Sequence, residues 1–421
     1  MALKLMTLRS NAMKSLFRTL IVSSVLSFSL IMAAPASDPL RIGIIPLSCP
    51  SCSEQLQAFA LGTQDNLIDG LARVPDLVVV DRTRVGEVIK ELAFQESAYT
   101  QADSAVKVGE MLGVEYLYTG SLQQSGNEIR ILVQQLKVES GESKPLGKVT
   151  GSLDKLFALQ DQLVDQILGA HGVKLDPAQQ QAMMAQIQLT AQPAAYEAYV
   201  QALNQQDSES PDNQQMALKT LDRAIALDAN FAAAYRQRAL LHLRRKDFAR
   251  ARADLEMALK LNPNDGQLLY ARGRMRLEQG QIDAAIADLN QAVRLQPAFA
   301  PAWNSRGMAK MALKQPEMAR ADFDQALRLE PAFYHALLNR ADLARQSQDY
   351  ASAIADLERA RKLRPRRPAA AAARGDLFQA QGNCREAMRS WEEACRLGLR
   401  KLCRQRCQTP GQRQFRDKSP R

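Results

Sequence analysis

The spacing of apolar and polar positions along this chain changes once, before its middle. Between about 40 and 170, short apolar runs alternate with amphipathic stretches. Beyond 190 only helical spacing remains, and it recurs every 34 residues. Alanine returns at Ala251, Ala285, Ala319, Ala353 and Ala387, and seven positions later at Ala258, Ala292, Ala326, Ala360 and Ala394. Between each pair stands a large residue: Leu255, Leu289, Phe323, Leu357 or Trp391. Twelve before the first alanine comes a small one, at Ala239, Gly273, Gly307, Ala341 and Gly375, while Pro263, Pro297, Pro331 and Pro365 close four of the units. Spacings of four and seven put these residues on one helix face. Small side chains let helix axes approach and the large one fills the space between them. Proline ends each second helix because it has no N–H to continue it.

These five units in register resemble the tetratricopeptide repeat, a helix–turn–helix unit. One such hairpin buries too little apolar surface to fold alone, so neighbours stack into a superhelix. An imperfect leading unit spans 196–230, where Ala217, Leu221 and Ala224 keep the second-helix pattern. The resemblance implies a groove for a peptide or helix on the inner faces of the first helices. Helical spacing places Arg236, Leu240 and Leu243 there, followed by Tyr270, Arg274 and Leu277, then Asn304, Met308 and Met311, and finally Leu338, Asp342 and Arg345. Aliphatic, methionine and arginine side chains together suit an amphipathic or acidic peptide.

A second periodic series is charged. Arg238, Arg272, Arg306, Arg340 and Arg374 share one place in the first helices, and sixteen residues later come Asp254, Asp288, Asp322 and Asp356, with Ser390 breaking the row. Half-buried arginine prefers bidentate carboxylate partners. An ion-pair ladder is expected, within each hairpin or between adjacent ones; the alternative is an arginine stripe for acidic ligands.

The earlier region reads as strands at 41–47, 77–80, 116–123, 129–137 and 148–153, with helices at 53–73, 84–94, 101–112 and 156–168. Ser125, Gly126 and Asn127 form the turn of a hairpin. Ile42-Gly43-Ile44-Ile45-Pro46, the stretch 70–82 ending in Val80-Asp81-Arg82, and the stretch 112–121 around Tyr118-Thr119-Gly120 resemble the α/β domain of the FlgO and CsgG group. They are also similar to the TolB-amino-terminal-like domain. The expected fold class is an α/β N-terminal domain followed by an all-α TPR superhelical solenoid. The resemblance implies a bacterial envelope protein working in assembly or secretion of surface structures.

Lys14 and Arg18 precede an apolar run at 20–32, and Ala34-Pro35-Ala36 offers small residues for cleavage. This predicts a signal peptide at 1–36, cut after Ala36, with Met13 as an alternative start. The product is expected in the periplasm or at the outer membrane. The expected divisions are an α/β domain at 37–172, a helical linker with the degenerate repeat at 173–231, the solenoid at 232–407 and a disordered basic tail at 408–421. The net charge is +10, and residues 361–421 alone hold seventeen lysines and arginines against five carboxylates. In an exported protein such a basic end suits an anionic membrane surface or an acidic protein, not nucleic acid. An oligomer is compatible with this layout.

Six cysteines in an exported chain suggest disulfides. Cys49 and Cys52 lie between a strand and a helix, as in a thioredoxin-type dithiol, but lack the usual preceding aromatic; a short structural bond is expected. The segment 394–403 resembles the cysteine-linked hairpins of Sel1-like repeats, which implies a Cys395–Cys403 staple, with Cys403 one turn into a further helix. Cys384 and Cys407 are left as a default pair. His171, His242 and His335 stand far apart, without metal-site companions, and no phosphate-cradling glycine loop occurs. No catalytic residue, cofactor or metal is expected. The leading reading is an envelope interaction scaffold. Its rivals are an oligomeric outer-membrane assembly component acting through the α/β domain, and a thiol oxidoreductase.

Overall fold

The computed structural model describes residues 39–49, 52–74, 77–92, 102–126, 128–152, 155–175, 190, 192–206 and 210–407. The expected signal peptide and basic tail lie outside these residues, as does most of the linker at 173–192.

Five strands form one sheet in the order β2-β1-β3-β4-β5. They are β1 (Leu40–Ile44), β2 (Leu77–Val79), β3 (Tyr116–Ser125), β4 (Glu128–Lys137) and β5 (Glu142–Ser152). β1 is parallel to both β2 and β3, and β3, β4 and β5 run as an antiparallel meander. Among the described residues four helices pack around the sheet: α1 (Glu54–Leu71), α2 (Arg82–Leu92), α3 (Ala102–Leu112) and α4 (Leu156–Ala170). Ile129, Ile131, Val133 and Leu136 are all buried while Arg130 and Gln134 are exposed, the alternation expected of a half-covered strand. β5 begins six residues earlier than its sequence suggests. Glu142, Lys144, Pro145 and Gly147 read as a loop, yet they pair with β4 across a register shift at Val133/Gln134. Charge, proline and a bulge are what an edge strand carries.

Twelve helices follow as six hairpins: α5 (Pro193–Gln206) with α6 (Pro211–Leu227), α7 (Ala232–Arg244) with α8 (Phe248–Leu261), α9 (Gly266–Glu278) with α10 (Ile282–Leu295), α11 (Ala300–Ala312) with α12 (Pro316–Leu329), α13 (Tyr334–Gln346) with α14 (Tyr350–Leu363), and α15 (Pro368–Ala380) with α16 (Cys384–Arg396). Within hairpins the periodic alanines and the large residue between them are fully buried or nearly so. First helices of successive hairpins touch each other from α5 through α15, which puts them on the inner side of the curve. The turn between the helices of each later hairpin needs one residue with positive φ. Glycine fills it at Gly280 and Gly382, but Lys246, Lys314 and Gln348 adopt φ of 58°, 57° and 61°. Such left-handed backbone disfavours a side chain.

One apolar core runs from the sheet into the repeats. It joins Ile42, Ile44, Leu67 and Leu163 to Tyr196, Tyr199, Val200, Leu221 and Phe231. Gly62 of α1 makes this approach feasible, since a Cβ there would stand 2.6 Å from the Tyr196 hydroxyl oxygen. The first hairpin is thereby fused to the α/β domain.

Candidate functional site on the inner face of the repeats

The periodic arginines organise the walls of this face. Arg272 donates from Nε and Nη2 to both oxygens of Asp288, at 2.9 and 2.7 Å. Arg238, Arg306 and Arg340 hold Asp254, Asp322 and Asp356 in the same bidentate way. The third nitrogen, Nη1, reaches back to the preceding hairpin, to Asp222, Asn290 and Asp324 respectively, at 2.7, 3.0 and 2.7 Å. The ladder therefore runs both within hairpins and between them. The sequence reading missed this second row at 222, 290, 324 and 358, although it too keeps the period of 34. Where Ser390 replaces aspartate, Arg374 still finds Ser390 Oγ, Glu358 and Glu393 at 3.0, 2.6 and 3.0 Å. Asp288 and Asp322 each take a second cation, Arg276 and Lys310, both at 2.7 Å. Hydrogen bonds to Asp254 and Asp356 push Arg238 and Arg340 above the usual guanidinium value, against the cost of burial.

The proposed groove residues fall into three groups. Arg236 is buried at 8% exposure and does not face solvent. Its Nη2 donates to Asp69 of α1 at 2.7 Å, while Gln267 donates to the other Asp69 oxygen at 3.1 Å. Burial would raise the Asp69 carboxyl, but Arg236 and Arg73 outweigh it and hold it below the usual range. Asn304 is also buried and accepts from Asn339 at 2.9 Å. These two positions are corrected from open groove to internal contact: close packing of the first helices, and of α1 upon them, covers the early turns. Leu240, Leu243 and Tyr270 pack half-buried against the core of the second and third hairpins. Leu338 and Met311 do the same further along.

What stays open lies in later turns. Met308 is 41% exposed. Arg274 is exposed, lies over the Tyr270 ring at 5.9 Å and pairs with Glu278 at 3.5 Å. Leu277 is half-buried, and Asp342 and Arg345 form an ion pair at 2.5 Å. This surface combines apolar contact with charges whose partners are exposed and exchangeable.

The α/β domain continues along the entries to the first helices. Arg84 of α2 donates to the Ala332 carbonyl at 3.0 Å, pairs with Glu330 and lies 4.7 Å from the Phe333 ring centroid. Burial draws its guanidinium down to about 10, so it stays charged at neutral pH. Glu91 accepts from the Arg366 backbone at 2.8 Å.

All six cysteines are paired: Cys49–Cys52, Cys384–Cys407 and Cys395–Cys403. Cys403 does not lie in a further helix; among the described residues after Gly398 there is only the 3-10 turn Arg400–Leu402, too short a segment to repeat the helical pattern. At the Cys49–Cys52 pair the first cysteine is buried and the second half-buried, both near the Leu122 carbonyl. His171 contacts Tyr118 and Gln135, and His242 stands 3.9 Å from Asp254. Among the described residues no group of histidine, cysteine and carboxylate could hold a metal ion, and no helix is long and apolar enough to cross a membrane.

Family models agree with this architecture. Tetratricopeptide repeat models match residues 215–266, 241–302 and 304–368. The model of the curli production assembly/transport component CsgG matches residues 25–131. Over 203 residues the chain is 25% identical to a putative adenylate cyclase 3 of Rhizobium meliloti, covering 48% of this chain and 32% of that protein. The chain thus spans about a third of that relative's length. Among solved structures it is similar to PilW, a type IV pilus biogenesis factor, at 15% identity and TM-score 0.45, over 49% of this chain and 94% of the other. It is also similar to pilF of Pseudomonas aeruginosa, at 18% identity and TM-score 0.43, over 54% and 98%. The chain therefore carries tetratricopeptide repeats behind an N-terminal CsgG-like α/β domain.

Proposed function

We propose that this protein is a cell-envelope scaffold that docks a peptide or helix from a protein partner on the inner face of its later repeats. The service would be assembly or secretion of surface structures. The observation that carries the reading is the contrast along one face. Early turns are closed by Asp69 and α1, whereas in later turns Arg274 and Met308 are exposed and Leu277 is half-buried. Exposed methionine beside arginine suits an amphipathic segment with acidic positions. Arg274→Glu and Met308→Glu change charge and apolarity at exposed sites and leave the ladder intact. Affinity capture from envelope extract should lose the same partners with either variant. Identical partner sets for wild type and both variants would overturn the groove.

A second reading assigns the work to the α/β domain as part of an oligomeric outer-membrane component, supported by the CsgG match at 25–131. Light scattering on the purified chain separates the two, since this reading requires a ring-sized mass. Thiol oxidoreductase chemistry is the weakest reading. Attack at the accessible Cys52 sulfur would expel Cys49 as a buried thiolate against a carbonyl. An insulin-reduction assay should show no activity.

A further inference from the structure

The closing end of the array carries a feature the groove does not use. α16 turns Ala387, Ser390, Trp391 and Ala394 inward. Its opposite face displays Arg385, Arg389 and Arg396, all exposed, together with exposed Met388. Beyond Gly398 the chain doubles back. Cys403 is bonded to Cys395 near the end of α16, and Cys407 is bonded to Cys384 at its start. This returning segment is tied to the helix at both ends, and it presents Arg400, Lys401, Arg404 and Arg406, again all exposed.

Carboxylates do little to balance these seven cations. Glu386 pairs with Arg389 at 2.8 Å, and Glu393 turns to Arg374 at 3.0 Å. That leaves Glu392 as the exposed carboxylate between 384 and 407. A protein-binding core is depleted of charge and rich in aromatic residues, and this surface is the reverse. Crowded like charges repel one another, yet two disulfides fix them in place on a folded end-plate. Disulfides also belong to an oxidising compartment, and a bilayer containing acidic lipids presents an extended polyanionic face.

We propose that this cationic end-plate docks the protein on an anionic lipid surface, with Arg385, Arg396 and the residues at 400–406 on head groups and Met388 entering the head-group layer. The proposal does not rest on the groove reading, and Arg274→Glu and Met308→Glu should leave it untouched.

The test is co-sedimentation of the full chain with vesicles of phosphatidylcholine alone or mixed with phosphatidylglycerol. Wild type should bind the mixed vesicles only, with affinity falling as salt rises. A combined Arg400→Gln, Lys401→Gln, Arg404→Gln and Arg406→Gln variant should keep its melting temperature, because these side chains are exposed. Its affinity should drop by roughly several hundredfold, each of the four cations near such a surface being worth about fivefold. Equal binding of wild type and variant would overturn the proposal. So would wild type that ignores the mixed vesicles, or that binds soluble polyglutamate instead.

Discussion

Gly307 faces Phe323 across the fourth hairpin so closely that a Cβ at position 307 would stand 2.6 Å from the ring Cε1. The same i, i+16 relation recurs with different volumes. Ala239 meets Leu255 and Ala341 meets Leu357, whereas glycine stands opposite the two aromatic residues, Phe323 and Trp391. Both aromatic residues are met by glycine, although Gly273 also faces a leucine, Leu289. Gly307→Ala should therefore destabilise the protein by about 1–3 kcal/mol, the usual cost of overpacking. Adding Phe323→Leu should recover much of that loss by recreating the alanine–leucine pairing of the second hairpin. Urea titration of the two single variants and the double variant checks this, and additive losses would refute it.

The turn residues make an opposite prediction. Lys314 holds φ at 57° where Gly280 and Gly382 serve the same turn in their hairpins. Lys314→Gly removes a left-handed strain of about 1 kcal/mol, offset in part by the entropy glycine adds to the unfolded chain. The melting temperature should rise slightly or hold. A clear fall would mean that the lysine side chain makes a contribution of its own.

Asp288, like Asp322, is a doubly engaged rung, and it holds Arg272 and Arg276 together. Asp288→Ala leaves two half-buried guanidinium groups facing each other, and breaking a pair of this kind costs about 3–5 kcal/mol. Thermal melting should show it. Unchanged melting with new affinity for anions would instead favour an arginine stripe.

His242 gives the fold a pH dependence. Burial pushes its imidazole below the ordinary value of 6.5, while Asp254 and Asp247 pull weakly the other way. The unfolded chain thus takes up a proton before the native one does. The histidine's contribution is complete above about 6.5 and is lost as pH falls through the lower native value. His242→Gln should flatten the decline in melting temperature between neutral and mildly acidic pH. Parallel curves for the two proteins would assign that decline to other groups.

The repeat half was legible because it states its geometry five times over, so alanine spacing, small–large pairing and the arginine–aspartate rungs could all be read by alignment against itself. The α/β elements were legible from apolar runs, except for the first half of β5, whose charged, proline-bearing edge looks like a loop. What could not be read was the joint between the halves. Asp69 and Arg236 are 167 positions apart, and Arg84 and Ala332 are 248 apart. No local pattern marks them, and Arg236 reads as groove only because its helical register is that of an inner-face residue. The reach back from Arg306 to Asn290 was missed for a different reason: the row mixes aspartate, glutamate and asparagine, which hides a constant role under changing letters.

Solenoids with bare ends can add copies of themselves end to end. Here the leading end is sunk into Tyr196, Tyr199 and the sheet core beneath them, and the trailing end is folded over and sewn shut by Cys395–Cys403 and Cys384–Cys407. Among the described residues the last helix turns arginines outward, so a further copy could stack there only by burying charge.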